Sequence, residues 1–332
     1  MKKIDLSALA LVVTTVLSAC GGGGGGSPPQ TAPLTLRVTD SPIDQTLIDA
    51  VCIRFTRVTV HYAGQDEVTL DYNPLPSQVG PETHCMTGTF WNAQSPVPPV
   101  RLSALGGPLT VALAESLQVP VGRVTWIRLH FATGSYVMET NGGEHALTCA
   151  SCEPTDNNAG RGFKLNRTFE LESGGLALTV DIDLLNSLHE DSGGYVLRPT
   201  ARIENTAELG TIAGLVADSR IPPASRYVGT LVETGCAVYV YNGHDPTIVD
   251  DYHSSSAVVS SARVRYSLAL GRYAYAAGAL PGGTVAQPRP YTVALTCDAD
   301  DPLLDATTEV TFTLGQSANV VTGQTATVNF SP

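Results

Sequence analysis

Apolar residues recur at every second position along most of this chain. Leu34, Leu36 and Val38 alternate with Thr35, Arg37 and Thr39, the pattern of a strand with one buried face. Val51, Ile53 and Phe55 share one parity while Val58, Val60 and Tyr62 share the other, which predicts a one-residue bulge near Thr56 and Arg57. Further strands are predicted at 127–131, 163–171, 176–182 and 195–203, the last with Pro199 marking an edge or bulge. Helical spacing is confined to 109–117 and 183–190. A fresh set of strands begins at Thr211 and runs through 236–241, 258–266, 291–297, 309–314 and 326–330. Gly, Pro and Asn punctuate the set at sandwich-like intervals. The pattern predicts an all-β protein with two antiparallel β-sandwich domains, at 34–208 and 209–332.

The first 33 residues follow different rules. Lys2 and Lys3 precede a short apolar run from Leu6 to Leu17, too short for a permanent bilayer span and suited to a signal peptide over 1–19. Leu17-Ser18-Ala19-Cys20 resembles the bacterial lipobox, which implies cleavage before Cys20 and its acylation. Gly21 to Gly26 and the Ser-Pro-Pro that follows offer nothing to pack, so 20–33 is expected to be a flexible tether. Such a tether has a root-mean-square reach of roughly 20 Å and a stretched limit near about 45 Å. By analogy with enteric bacteria, Gly21 rather than Asp after the cysteine implies the outer membrane as the expected location, with the body attached through acyl chains.

Composition narrows the choice of partner. Of 332 residues 43% are hydrophobic, enough for a sizeable core, and the formal net charge is −12. Removing the leader's net +1 leaves −13, and Lys164 is the only lysine beyond it. A phosphate backbone would be repelled, which excludes a nucleic-acid binder, and an anionic membrane surface gains nothing electrostatically. Beyond Cys20 the cysteines are Cys52, Cys85, Cys149, Cys152, Cys236 and Cys297, an even set suited to an oxidising compartment. A boundary near 209 pairs Cys236 with Cys297, and our choice for the rest is Cys52–Cys85 and Cys149–Cys152. The last pair also has redox spacing, but Glu144, Glu153 and Asp156 surround it rather than the cations that activate a thiol.

Leu36-Arg37-Val38-Thr39-Asp40-Ser41-Pro42 and Val58-Thr59-Val60-His61 resemble the start of a bacterial lipoprotein family known as domain of unknown function 4382. Val121-Gly122, Ile127-Arg128-Leu129, Phe163-Lys164-Leu165, Val180-Asp181-Ile182-Asp183 and Tyr195-Val196-Leu197-Arg198-Pro199 extend the likeness across most of 34–205. The resemblance implies an envelope lipoprotein and no particular activity. Gly210-Thr211-Ile212-Ala213-Gly214-Leu215-Val216 and Leu280-Pro281-Gly282-Gly283 resemble a prealbumin-like module, which implies a spacer or binding platform.

Candidate chemistry is sparse. The seven histidines are scattered, and no Gly-x-Ser-x-Gly elbow occurs. Asp181 and Asp183 share a strand face at about 7 Å, compatible with paired acid/base work, so a hydrolase is the alternative reading. With Asp40 they could ligate Ca²⁺, which takes hard oxygens; no other cofactor is indicated. A second acidic stretch, Asp298 to Glu309, lacks the glycine of a calcium loop and reads as a hairpin. Tyr239, Tyr241, Tyr266, Tyr273 and Tyr275 could cover a sandwich edge or stack on a sugar. The expectation is a non-enzymatic, lipid-anchored binding, adhesion or scaffolding module with a protein or glycan ligand.

Overall fold

The computed structural model describes residues 30–41, 48–90, 97–107, 109–153, 161–223, 226, 233–249, 258–298 and 310–332. The expected signal peptide at 1–19, Cys20 and most of the acidic stretch at 298–309 lie outside them. The first half contributes β1 (Thr31–Ser41), β2 (Ile48–Ile53), β3 (Phe55–Tyr62), β4 (Val68–Asp71), β5 (Val100–Arg101), β6 (Val111–Pro120) and β7 (Gly122–Phe131). It continues with β8 (Ser135–Glu139), β9 (Glu144–Thr148), β10 (Phe163–Leu165), β11 (Phe169–Leu171) and β12 (Leu176–Asp183). One helical turn, α1 (Leu184–Ser187), precedes β13 (Leu188–Asp191), β14 (Gly194–Leu197) and β15 (Ala201–Asn205). The second half holds β16 (Leu209–Val216), β17 (Glu233–Asn242), β18 (Val258–Ser267), β19 (Arg272–Pro281), β20 (Arg289–Thr296), β21 (Gln316–Val320) and β22 (Thr325–Thr327).

The all-β reading holds. Three sheets form the first half, ordered β15-β12-β1-β6, β10-β7-β3-β4 with β11 also on β7, and β13-β14-β9-β8-β2-β5. The second half is one seven-stranded sheet, β21-β20-β17-β18-β19-β16-β22. The pairing is not wholly antiparallel: β1 with β12, β14 with β9 and β16 with β22 run parallel. The β1–β12 pair can be parallel because a long excursion separates its strands, and parallel pairs favour sheets covered on both faces.

The parity change at Phe55 has two causes. The chain leaves the six-stranded sheet at Ile53 and enters the five-stranded one at Phe55, and the β3–β7 register slips between Phe55 and Arg57. Pro199 lies where the chain passes from β14 to β15 and again changes sheet. Residues 109–117, expected to be helical, mostly form β6, and α1 is a single turn followed at once by β13. The strand β1 begins at Thr31, inside the expected tether, because 31–33 pair with 118–120 of β6.

Leu34, Leu36, Val38, Leu178, Val180 and Ile182 are fully buried in the main core. That core does not end at the sheet partition. Tyr239, Tyr241 and Ala294 of the second half belong to it, whereas Val238, Val240 and Val293 point into a second core of the seven-stranded sheet. The strand β17 therefore keeps period two with both faces buried. Backbones touch across the same seam: a Cβ on Gly278 would lie 1.9 Å from the Gly107 carbonyl oxygen, and Gly107 itself has φ +58°.

Candidate functional site

The expected carboxylates sit on the four-stranded sheet, and its alternation separates them. The β1–β12 register pairs Asp40 with Ile182 and Thr39 with Asp181. Asp40 therefore shares the core-facing side with Leu36 and Val38, while Asp181 and Asp183 take the opposite side. That side is covered: Asp181 is 4% exposed, and Asp181, Asp183, Arg202 and residues Val258 to Ser260 line a cleft of about 230 Å³ at the seam between halves. The fold thus covers these acids instead of leaving them on a solvated strand face.

Each carboxylate is engaged. Arg202, opposite Asp181 on β15, donates to Asp181 Oδ2 from Nε at 2.9 Å and Nη2 at 2.5 Å. Asp183 caps α1, accepting from the Asn186 backbone N–H at 3.1 Å and from its side-chain amide at 2.8 Å. Burial nevertheless raises the Asp183 pKa, against the lowering effect of Asn186 and Arg202. Asp40 Oδ1 accepts from the Leu184 N–H at 3.3 Å, and its buried Oδ2 has no hydrogen-bond partner. Burial, then the negative charges of Asp181 and Asp183, hold its carboxyl well above the usual range, while Arg263 and the Leu184 N–H oppose them.

This arrangement corrects the calcium expectation. Asp40 lies on the wrong side of the sheet, Arg202 takes the oxygen of Asp181 and Asn186 takes those of Asp183. Among the described residues no group of three or more His, Cys, Asp or Glu is placed to hold a metal ion.

The cysteines pair as Cys52–Cys85, Cys149–Cys152 and Cys236–Cys297. Cys149 and Cys152 are buried, and the Cys149 N–H bonds Glu153 at 3.2 Å, so a carboxylate rather than a cation adjoins them. The tyrosines do not form a sugar platform. Tyr239, Tyr241, Tyr273 and Tyr275 are buried, with Phe312 against the first two and the Tyr275 hydroxyl donating to the Val328 carbonyl at 2.9 Å.

A different cluster escaped the sequence reading. On the outer side of the five-stranded sheet, Arg128 Cζ and Lys164 Nζ each lie 4.6 Å from the Trp126 ring centroid. The His61 ring stacks on the same indole at 4.7 Å, held by a 2.7 Å hydrogen bond to Thr125. The signal lies in the sequence: Trp126 and Arg128 alternate with Ile127 and Leu129, on the polar parity opposite the apolar one. Arg202, flanked by Ala201 and Ile203 on β15, stands on a polar parity in the same way.

Comparison with known proteins places the first half. A family model described as domain of unknown function (DUF4382) matches residues 31–199. The chain belongs to the DUF4382 family. The match begins at the first residue of β1, and the DUF4382 region includes Asp40, Asp181, Asp183, Trp126 and Lys164 but stops short of Arg202. No curated protein matches the chain. A crystal structure of a proposed cell adhesion protein from Bacteroides fragilis aligns with 89% of this chain and 92% of its own, at 9% identity and a TM-score of 0.21. A score that low supports no statement about shared fold or role.

Proposed function

We propose that this DUF4382 protein is a non-enzymatic module of the cell envelope, anchored to the outer membrane by acyl chains on Cys20. It presents a rigid β body for binding, adhesion or scaffolding. The observation that carries the reading is the succession of an apolar leader, Leu17-Ser18-Ala19-Cys20 and a glycine tether directly before the first strand. Two or more acyl chains suffice to hold a folded domain at a bilayer. Support for a binding rather than a catalytic role comes from the carboxylates, which are committed to Arg202 and to the cap of α1. A prealbumin-like second half would extend the body away from the tether.

The anchor is tested by Cys20→Ala. Loss of acyl labelling and release from the membrane fraction are expected, and unchanged fractionation would end the proposal. A hydrolase working through Asp181 and Asp183 has the seam cleft in its favour. Turnover of an ester or glycoside that disappears in Asp183→Asn would install that reading in place of ours.

A further inference from the structure

We propose that the tip of the β18–β19 hairpin, Leu268-Ala269-Leu270, dips into the interface of a lipid bilayer. This rests on the acyl anchor proposed above, which would hold the body beside that bilayer. The β18–β19 ladder closes with Tyr266 opposite Tyr273 and Ser267 opposite Arg272, and four residues then turn the chain. The Ser267 carbonyl accepts from the Leu270 N–H at 3.2 Å and from the Gly271 N–H at 2.8 Å, and Gly271 takes φ +62°. The Ser267 hydroxyl also accepts from the Leu270 N–H, at 3.3 Å. Ser267 and Gly271 thus fix the turn, which needs nothing from the side chains at its apex. Two of those are nevertheless leucines, Leu268 at 69% and Leu270 at 60% exposed. Single apolar residues on a surface need no explanation. Two on one short turn, where polar residues are the rule, leave an apolar cap at the end of a hairpin.

What stands behind the cap fits a bilayer interface. Arg272 is exposed in the last rung of the ladder. One rung further back, Tyr266 and Tyr273 pack edge to face with ring centroids 5.1 Å apart. Leucine, then a cation for lipid phosphate, then tyrosine is an order that suits the passage from acyl chains out through headgroups. Rungs are about 3.3 Å apart, so these layers span the roughly 5–10 Å over which interfacial segments bury their apolar side. The depth is limited, because a turn apex carries backbone polar groups that hydrocarbon would strand. Charge does not drive the contact: a body with −13 beyond residue 19 is repelled by anionic headgroups. Two leucines hold a bilayer weakly by themselves. A tether of roughly 20 Å reach raises their local concentration at the surface, so weak insertion suffices to orient the body.

The test reads depth at the tip. The full acylated chain carrying Leu268→Trp is reconstituted in phosphatidylcholine vesicles with and without bromine on the acyl chains, against the parent's Trp91 and Trp126 as baseline. Leu268 is exposed, so the change leaves the fold alone. Emission should shift to the blue and be quenched by brominated lipid beyond the baseline. Val285→Trp is the comparison. Val285 is 79% exposed in the connection at the other end of β19, and its variant should be quenched no more than the parent. Leu270→Asp added to Leu268→Trp should abolish the extra quenching, because a carboxylate is costly in the bilayer. Equal quenching in the two tryptophan variants, none in Leu268→Trp, or quenching indifferent to Leu270→Asp would overturn the site. A blue shift without bromine quenching would do so too, and would give the tip to a second copy or another protein. Flotation of the same vesicles reports the anchor separately: protein that floats with an unquenched tip keeps the anchor and loses this inference.

Discussion

Asp40 follows Leu36 and Val38 on the aliphatic side of β1, and its position has a measurable signature in pH. Its carboxyl holds a proton more tightly when folded than when unfolded, because burial and the neighbouring carboxylates oppose its charge. The native state is therefore favoured at acid pH, and stability is lost as pH climbs from about 4 through the raised folded pKa. Asp40→Asn keeps an oxygen for the Leu184 N–H and removes the ionisation. Thermal melts should show the variant more stable than the parent at pH 8, with the gap closing towards pH 4; a gap independent of pH would refute the assignment. His84 works in the opposite sense. Burial lowers its pKa to about 4, so it contributes stability that is present above about 6.5 and is lost as pH falls towards 4. Its neutral ring is held at 2.9 Å from the Tyr72 hydroxyl and 2.8 Å from Thr83. Arg202 carries a simpler prediction. Arg202→Met strands the Asp181 carboxylate in a covered seam and should cost about 3–5 kcal/mol in denaturant unfolding. Asp181→Asn in the same chain should recover part of the loss.

At the scale of elements, the strands were legible wherever one face was apolar and the register regular. Leu34 to Val38 and Leu176 to Ile182 announced β1 and β12 by alternation alone. The strand β6 was not legible, for a physical reason. Ser116 adopts φ +50°, and the β1–β6 register slips at Leu34–Leu36 and Leu36–Arg37. Val111, Leu113 and Ala114 are buried while Leu117 is exposed, and this broken alternation imitates helical spacing. The candidate site was half legible. Asp181 and Asp183 stood out as acids, but their shared polar face gave no hint that the second half covers it. That cover depends on glycine at the seam. Gly278→Ala would force a methyl against the Gly107 carbonyl, an overpacking that should cost about 1–3 kcal/mol and lower the denaturant midpoint. An unchanged midpoint would mean that the seam yields freely.

For the molecule as a whole, hydrogen bonding and packing divide the chain differently. The sheets separate between Asn205 and Leu209, yet one apolar cluster runs from Leu36 and Val180 to Tyr239 and Ala294. Calorimetry should therefore record a single cooperative transition for the two halves; two resolved transitions would show that the shared core contributes little. The disulfides stay within halves, and on the loop-entropy model Cys52–Cys85 and Cys236–Cys297 contribute about 4 kcal/mol each.

The placement of β1 has one more consequence. It follows the glycine-rich segment of the sequence, yet it lies inside its sheet, with eight registered partners along β12 on one side and β6 on the other. Tension entering at Thr31 and resisted by the distant half would pull β1 lengthwise between two neighbours. Its ladder bonds would then have to shear together rather than unzip one after another. Under the anchorage proposed above, a pull on the chain would thus load the whole ladder of β1 at once.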